Sequence, residues 1–155
     1  MSQNDFMKQA ALASIKNIEN QGGPFGAAIV KNGEVIAIGV NRVVPNSDPT
    51  AHAEIQAIRA AASKLNTFDL SDCEIYTSCE PCPMCLGAIY WAKIKTVYYA
   101  NTRYDAANIG FDDNFIYEEI PKPIEQRSVK FIPVVCNEAK LAFEKWKNID
   151  DHLRY

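Results

Sequence analysis

The chain has 155 residues, five of them cysteine, with a hydrophobic share of 48% and a formal charge of -3. That length and share suit a single folded domain over residues 1–155 with a well-formed core, and no apolar run is long enough to cross a bilayer. An acidic balance with no long Lys/Arg run argues against a protein held mainly by polynucleotide phosphates, and it favours a small-molecule substrate with neither nucleic acid nor membrane as partner.

The chain opens on the polar stretch MSQNDFMKQA, which lacks the basic-then-apolar layout of a secretory signal. The odd cysteine count is no disulfide framework, so a reducing cytoplasm is expected. Residues 5–19 carry Phe6, Ala10, Ala13, Ile15 and Ile18 at near-helical spacing and stop before Gly22-Gly23-Pro24; they predict a first helix closed by a breaker. Residues 25–30 and 35–40 are apolar runs joined through Asn32-Gly33, the dipeptide that best marks a two-residue hairpin. Residues 51–65, Ala-rich with Ile55, Ile58 and Leu65, predict a helix with His52 and Glu54 in its first turn. Residues 75–77 predict a third strand, 83–92 a short helix opened by Pro83, and 95–100 a fourth strand. Residues 129–135 are a fifth strand candidate, and 137–151 close the chain as a helix with Leu141, Phe143 and Trp146 on its apolar side. This order predicts an α/β fold, a mixed five-stranded sheet covered by helices on both faces.

Two short motifs carry chemistry. His52-Ala53-Glu54 and Pro81-Cys82-Pro83-Met84-Cys85 bring together one imidazole, one carboxylate and two thiols. A catalytic zinc site takes three protein ligands and leaves the fourth tetrahedral position to water, whose pKa then falls to about 7. His52, Cys82 and Cys85 supply that number, and Glu54, two residues from the histidine, is placed to carry protons without being a ligand. Cys79 is the competing ligand, since Cys79, Cys82 and Cys85 are evenly spaced. Pro81 breaks the chain between Cys79 and Cys82, whereas Pro83 suits a first helical turn, so Cys82 and Cys85 share a helical face and Cys79 stays at a strand end. A helix N-terminus also stabilises thiolates. Each motif alone has a bland reading as a packed histidine, a structural zinc knuckle, a redox dithiol or part of an iron–sulfur site. A redox dithiol gives His52 and Glu54 no task, and a closed structural site needs a fourth ligand.

The combination is the H-x-E and P-C-x-x-C signature of zinc nucleobase deaminases. On residues 48–54 and 78–85 the chain resembles the cytidine-deaminase-like superfamily, adenosine deaminases of transfer RNA included. On Gly22-Gly23-Pro24-Phe25-Gly26, residues 86–92, Ile109-Gly110-Phe111-Asp112-Asp113 and a chain stopping at Tyr155, it is similar to the bacterial guanine deaminases. The resemblance implies a three-layer α/β/α fold, one zinc per subunit and hydrolysis of guanine to xanthine and ammonia, a step of purine catabolism. Zinc-bound hydroxide then attacks C2 while Glu54 shuttles protons. It also implies a homodimer whose C-terminal segment is exchanged between subunits. Carried over by position, it puts zinc on His52, Cys82 and Cys85, Asn41 on the purine edge, Phe25 on its face and Trp91 in the pocket wall. Asp113 accepts from guanine donors, and Tyr155 closes the site. By composition alone Asn41 reads as a strand-ending turn residue, Phe25 and Trp91 as core aromatics, and Asp113 or its neighbour as a helix cap; Tyr155 reads as a chain end and His152 as a surface residue. The alternatives are another deaminase of the superfamily, acting on guanosine, a small aminated heterocycle or a transfer-RNA adenosine, and a non-catalytic zinc-stabilised binding module.

Overall fold

The computed structural model describes residues 1–150 and 154–155, so the expectation for His152 and the end of the last predicted helix lie outside the described residues. The chain divides into two compact units, Met1–Asn114 and Phe115–Tyr155.

The first unit is a four-stranded sheet with helices on both faces. It runs α1 (Gln3–Glu19), β1 (Gly26–Lys31), β2 (Glu34–Val40), the single turn α2 (Val43–Asn46), α3 (Ala53–Leu65), β3 (Glu74–Cys79), α4 (Pro83–Trp91), β4 (Val97–Asn101) and α5 (Arg103–Asn108). The strand order is β2-β1-β3-β4. β1 is antiparallel to β2 and to β3, while β3 and β4 run parallel, so the sheet is mixed as expected. The β1–β2 turn has positive φ at both Asn32 (51°) and Gly33 (78°), the type I′ geometry whose twist matches a hairpin.

Both faces of β1 are buried, which is why it reads as an unbroken apolar run. Ala27 and Ile29 join Ala53, Ala57, Ala61, Ile75 and Ile89 in a core under α3 and α4, whereas Ala28 and Val30 pack with Phe6, Ala10 and Tyr76 under α1. Two glycines let the layers close. A Cβ on Gly26 would lie 2.2 Å from the Ala10 carbonyl oxygen of α1, and one on Gly39 would lie 2.2 Å from the Ala53 carbonyl oxygen and 2.4 Å from the Ala57 nitrogen of α3.

The second unit contains α6 (Asn114–Glu119, its first residue shared with the first unit), a 3-10 turn (Ile124–Gln126) and α7 (Asn137–Lys147). The predicted fifth strand is the correction here. Residues 129–135 are exposed and have no strand partner among the described residues, and the sheet has four strands. A strand exists only through its ladder, and β propensity without a neighbouring edge does not make one.

Candidate functional site

α3 and α4 both begin beside the same point. Ahead of α3, Asp48 Oδ1 accepts from Thr50 N (2.8 Å) and Thr50 Oγ1 (2.7 Å), and the Ala51 carbonyl accepts from Arg42 N (2.9 Å). This turn delivers His52 as the N-cap of α3, one position earlier than the helical turn the sequence suggests, with extended backbone and no capping bond from its side chain. Cys82 is likewise the N-cap of α4, with Pro83 behind it and no capping bond. The imidazole and the thiol are therefore available to one another.

His52 Nδ1 lies 3.5 Å from Cys82 Sγ and 3.5 Å from Cys85 Sγ, and the three ligand atoms all fall within 4.8 Å of one another. Tetrahedral zinc, with bonds of about 2.0 Å to nitrogen and about 2.3 Å to sulfur, holds such N···S pairs roughly 3.6 Å apart. The donor set and its spacing therefore fit zinc. The electrostatics agree: a hydrogen bond from the Cys85 thiol, then the His52 contact, pulls Cys82 down to about 4. Cys85 is pushed up as the donor to that thiolate and by burial, and His52 is raised by its bond to Cys82. A thiolate held by two proton donors is what a dication replaces when it displaces their protons.

Glu54, in the first turn of α3, is buried beside this group. Burial raises its carboxyl above the ordinary range, opposed by hydrogen bonds that include Cys85 and Thr77. Thr77 Oγ1 lies 3.1 Å from Glu54 Oε1 and 2.9 Å from the Cys79 carbonyl oxygen. Sequence reasoning missed Thr77. The signal was the two-residue period of β3, since Ile75, Thr77 and Cys79 share the face turned to α3. Cys79 keeps out of the metal group, as the prolines indicate: its thiol donates to the Thr102 carbonyl (3.5 Å), and burial holds it at about 11.

The other predicted residues are placed as follows. Asn41 is buried at the end of β2, next to the Arg42 that bonds the residue before His52. Phe25 packs on the core under α3, its ring 4.9 Å from Phe111 in an edge contact. Asp113 is half-buried, raised first by desolvation and also by the charge of Cys82, whereas its neighbour Asp112 accepts from Asn114 N (2.9 Å) in an Asx turn ahead of α6. Trp91 is 68% exposed at the last residue of α4, about 13 Å along the axis from the cysteine end. Tyr155 belongs to the second unit, where it lines a shallow pocket with Trp146, Lys147 and Arg154. The first unit thus gathers His52, Glu54, Cys82 and Cys85 in one group, with Asn41 tied to its edge.

Sheet, helix N-termini and donor set are those of a zinc-dependent deaminase, and the chain belongs to the cytidine and deoxycytidylate deaminase family, whose zinc-binding region matches residues 1–101. Within it the chain falls with the guanine deaminases. It is 50% identical over 156 residues to guanine deaminase of Bacillus subtilis, both chains covered in full, and the X-ray structure of that enzyme superposes with a TM-score of 0.95 over 100% of this chain and 99% of the other. A guanine deaminase structure from Nitrosomonas europaea matches at 38% identity and a TM-score of 0.70, covering 80% of this chain and 69% of that one. A transfer-RNA-specific adenosine deaminase of Aquifex aeolicus is 41% identical over 100 residues, 64% of this chain and 66% of its own.

Proposed function

We propose that the protein hydrolyses guanine to xanthine and ammonia, as a cytoplasmic enzyme of purine catabolism. The observation that carries this reading is the full-length similarity to guanine deaminase combined with a His52, Cys82 and Cys85 group of zinc dimensions beside a buried carboxylate. The similarity to the transfer-RNA enzyme extends over only 64% of this chain.

In this reading His52 Nδ1 and the two Sγ atoms would hold zinc, which would supply a Lewis acid able to bring the pKa of a water to about 7. Glu54 is placed to take a proton from the attacking water, deliver it to the ring nitrogen beside C2, and carry a second, from the new C2 hydroxyl, to the departing amine. One oxygen is gained at C2, the C2–N bond breaks and ammonia leaves. Thr77 holds the Glu54 carboxylate in place. Phe25 stacks on the purine face, Asn41 bonds its edge, Asp113 accepts from its N-H groups, and Trp91 and Tyr155 complete the wall and lid. A carboxylate that accepts from guanine leaves an unmatched buried acceptor against a base lacking those donors, which is the basis of selectivity.

The working form in this reading is a homodimer that exchanges its C-terminal segment, so that residues 1–155 act as one deaminase domain built from two copies. Three features support it. β4 is an edge strand among the described residues; residues 129–135 are largely apolar and exposed; and α7 exposes Leu141, Phe143 and Trp146. An open edge and an exposed segment of strand composition could supply the two halves of a swapped ladder.

The test is ammonia release with product identification across guanine, guanosine, adenine, adenosine, cytosine and cytidine. Xanthine from guanine with little turnover elsewhere is expected. Turnover of another base or nucleoside reassigns the substrate while keeping the chemistry, and silence with zinc retained turns the reading to transfer RNA or to a binding module.

A further inference from the structure

Outside the zinc group, Asn17 in the last turn of α1 is a buried polar side chain, only 4% exposed, with three hydrogen-bond partners. Its Nδ2 donates to the Gly23 carbonyl (2.9 Å) and to the Asn41 carbonyl (2.7 Å), and its Oδ1 accepts from Arg42 Nη1 (3.2 Å). A guanidinium has only donors, so the Arg42 contact fixes which end of the amide is oxygen and turns both N-H groups toward the two carbonyls. Arg42 is itself held by the Asn20 carbonyl at 3.2 Å.

Two backbone bonds close the circuit: Phe25 N donates to the Gly23 carbonyl (2.9 Å), and Asn41 N donates to the Phe25 carbonyl (3.1 Å). Asn17, Gly23, Phe25 and Asn41 thus form one ring of hydrogen bonds. Gly22 and Gly23 allow it, because a Cβ on Gly22 would sit 2.1 Å from Asn17 Nδ2 and one on Gly23 3.0 Å from the Asn41 side chain. The ring is fastened to the chemistry at two points. Gly26 N donates to Ser78 Oγ (3.0 Å) near the end of β3, and Arg42 N donates to the carbonyl of the residue before His52.

We infer that Asn17 is a positioning residue for purine recognition, a buried clamp that sets Phe25 and Asn41 relative to each other and to the zinc group without touching the substrate. The inference rests on the reading of Phe25 and Asn41 as substrate contacts. Without the two Nδ2 donors the Gly23 and Asn41 carbonyls lose a partner, and the loop carrying the stacking ring parts from the strand end carrying the edge contact. Contacts made equally in ground and transition states are read in KM rather than kcat.

The experiment compares the zinc-loaded wild type with Asn17→Asp, which keeps the size and the Arg42 contact but cannot donate, and with Arg42→Ala, which releases the lock on the amide together with the Asn20 carbonyl contact. Guanine kinetics, zinc content and amide hydrogen exchange are measured, and Asn17→Asp is also combined with Asn41→Ala. Expected for Asn17→Asp are stoichiometric zinc, kcat within about threefold and KM raised roughly tenfold or more. Exchange should be faster at Gly22, Gly23, Phe25 and residues 41–43 and unchanged in β3. Arg42→Ala moves KM and exchange the same way by a smaller factor, and serves alone should Asn17→Asp not fold. In the Asn41→Ala background the Asn17 change adds less to KM than in the wild type, since only the placement of Phe25 is left to lose, whereas a general loss of stability would add in full. Wild-type KM and wild-type exchange in the variants overturn the clamp. Absence of xanthine from the wild type sinks the guanine reading alone, and the exchange measurement then decides the clamp.

Discussion

Glu54 and Thr77 show how much a single side chain carries at this site. Glu54 is buried and meets Thr77 Oγ1 at 3.1 Å, so Glu54→Gln preserves shape and the Thr77 contact while removing the proposed proton carrier. Its kcat for guanine should fall by about a thousandfold or more with zinc still stoichiometric, and near-normal turnover in a steady-state assay would remove Glu54 from the proton path. Thr77→Val keeps volume and deletes the hydroxyl; kcat should drop about tenfold with unchanged metal content, since the carboxylate keeps its burial and loses its orientation. His52→Ala and Cys82→Ala act one step earlier and should be purified without zinc, as elemental analysis would report. The ligands were legible in the sequence because their residue types and the two prolines leave few other arrangements. Thr77 was hidden because a threonine in an apolar strand has an ordinary structural explanation, and Asn17 because its partners are backbone carbonyls, which no side-chain motif records.

At the scale of elements, the site depends on α3 and α4 starting where they do, and that depends on how closely the sheet lets them approach. Gly39 of β2 faces the first turn of α3, where a methyl group would press on the Ala53 carbonyl oxygen and the Ala57 nitrogen. Gly39→Ala therefore has to push away the helix that carries His52 and Glu54. Overpacking of this kind costs about 1 to 3 kcal/mol, and the melting temperature should fall by several degrees together with zinc occupancy. A variant as stable and as fully loaded as wild type would show that α3 can shift freely. Most elements were readable from periodicity, with the hairpin fixed by Asn32-Gly33 and α4 by Pro83. The short helices after β4 were not: α5 starts at Thr102 with a capping box to Asp105, a signal visible in the sequence but too brief to set a periodic pattern. The fifth strand was misplaced for the opposite reason. Residues 129–135 have strand composition, but composition supplies no neighbouring edge, and β4 ends the sheet among the described residues.

On the scale of the whole molecule, the second unit exposes apolar side chains that a stable chain ordinarily covers, Val134 (82%), Val135 (86%) and Phe143 (82%) among them. If a second copy covers them, light scattering should give twice the 17.3 kDa chain mass, and Val135→Lys, a charge in the proposed ladder, should shift the protein toward monomer and lower activity with it. The exchange of segments makes a sharper claim about Tyr155. Glu54→Gln carries an intact Tyr155, and Tyr155→Ala carries an intact Glu54, so each is impaired alone for a different reason. When the two are unfolded together and refolded as a mixture, a hybrid dimer contains one site with a sound Glu54 and, if tails cross, a sound Tyr155 from the other chain. Random assembly in equal amounts then restores about a quarter of wild-type turnover. If each tail folds over its own site, every hybrid site lacks one residue or the other, and the mixture stays at the average of the two separate variants.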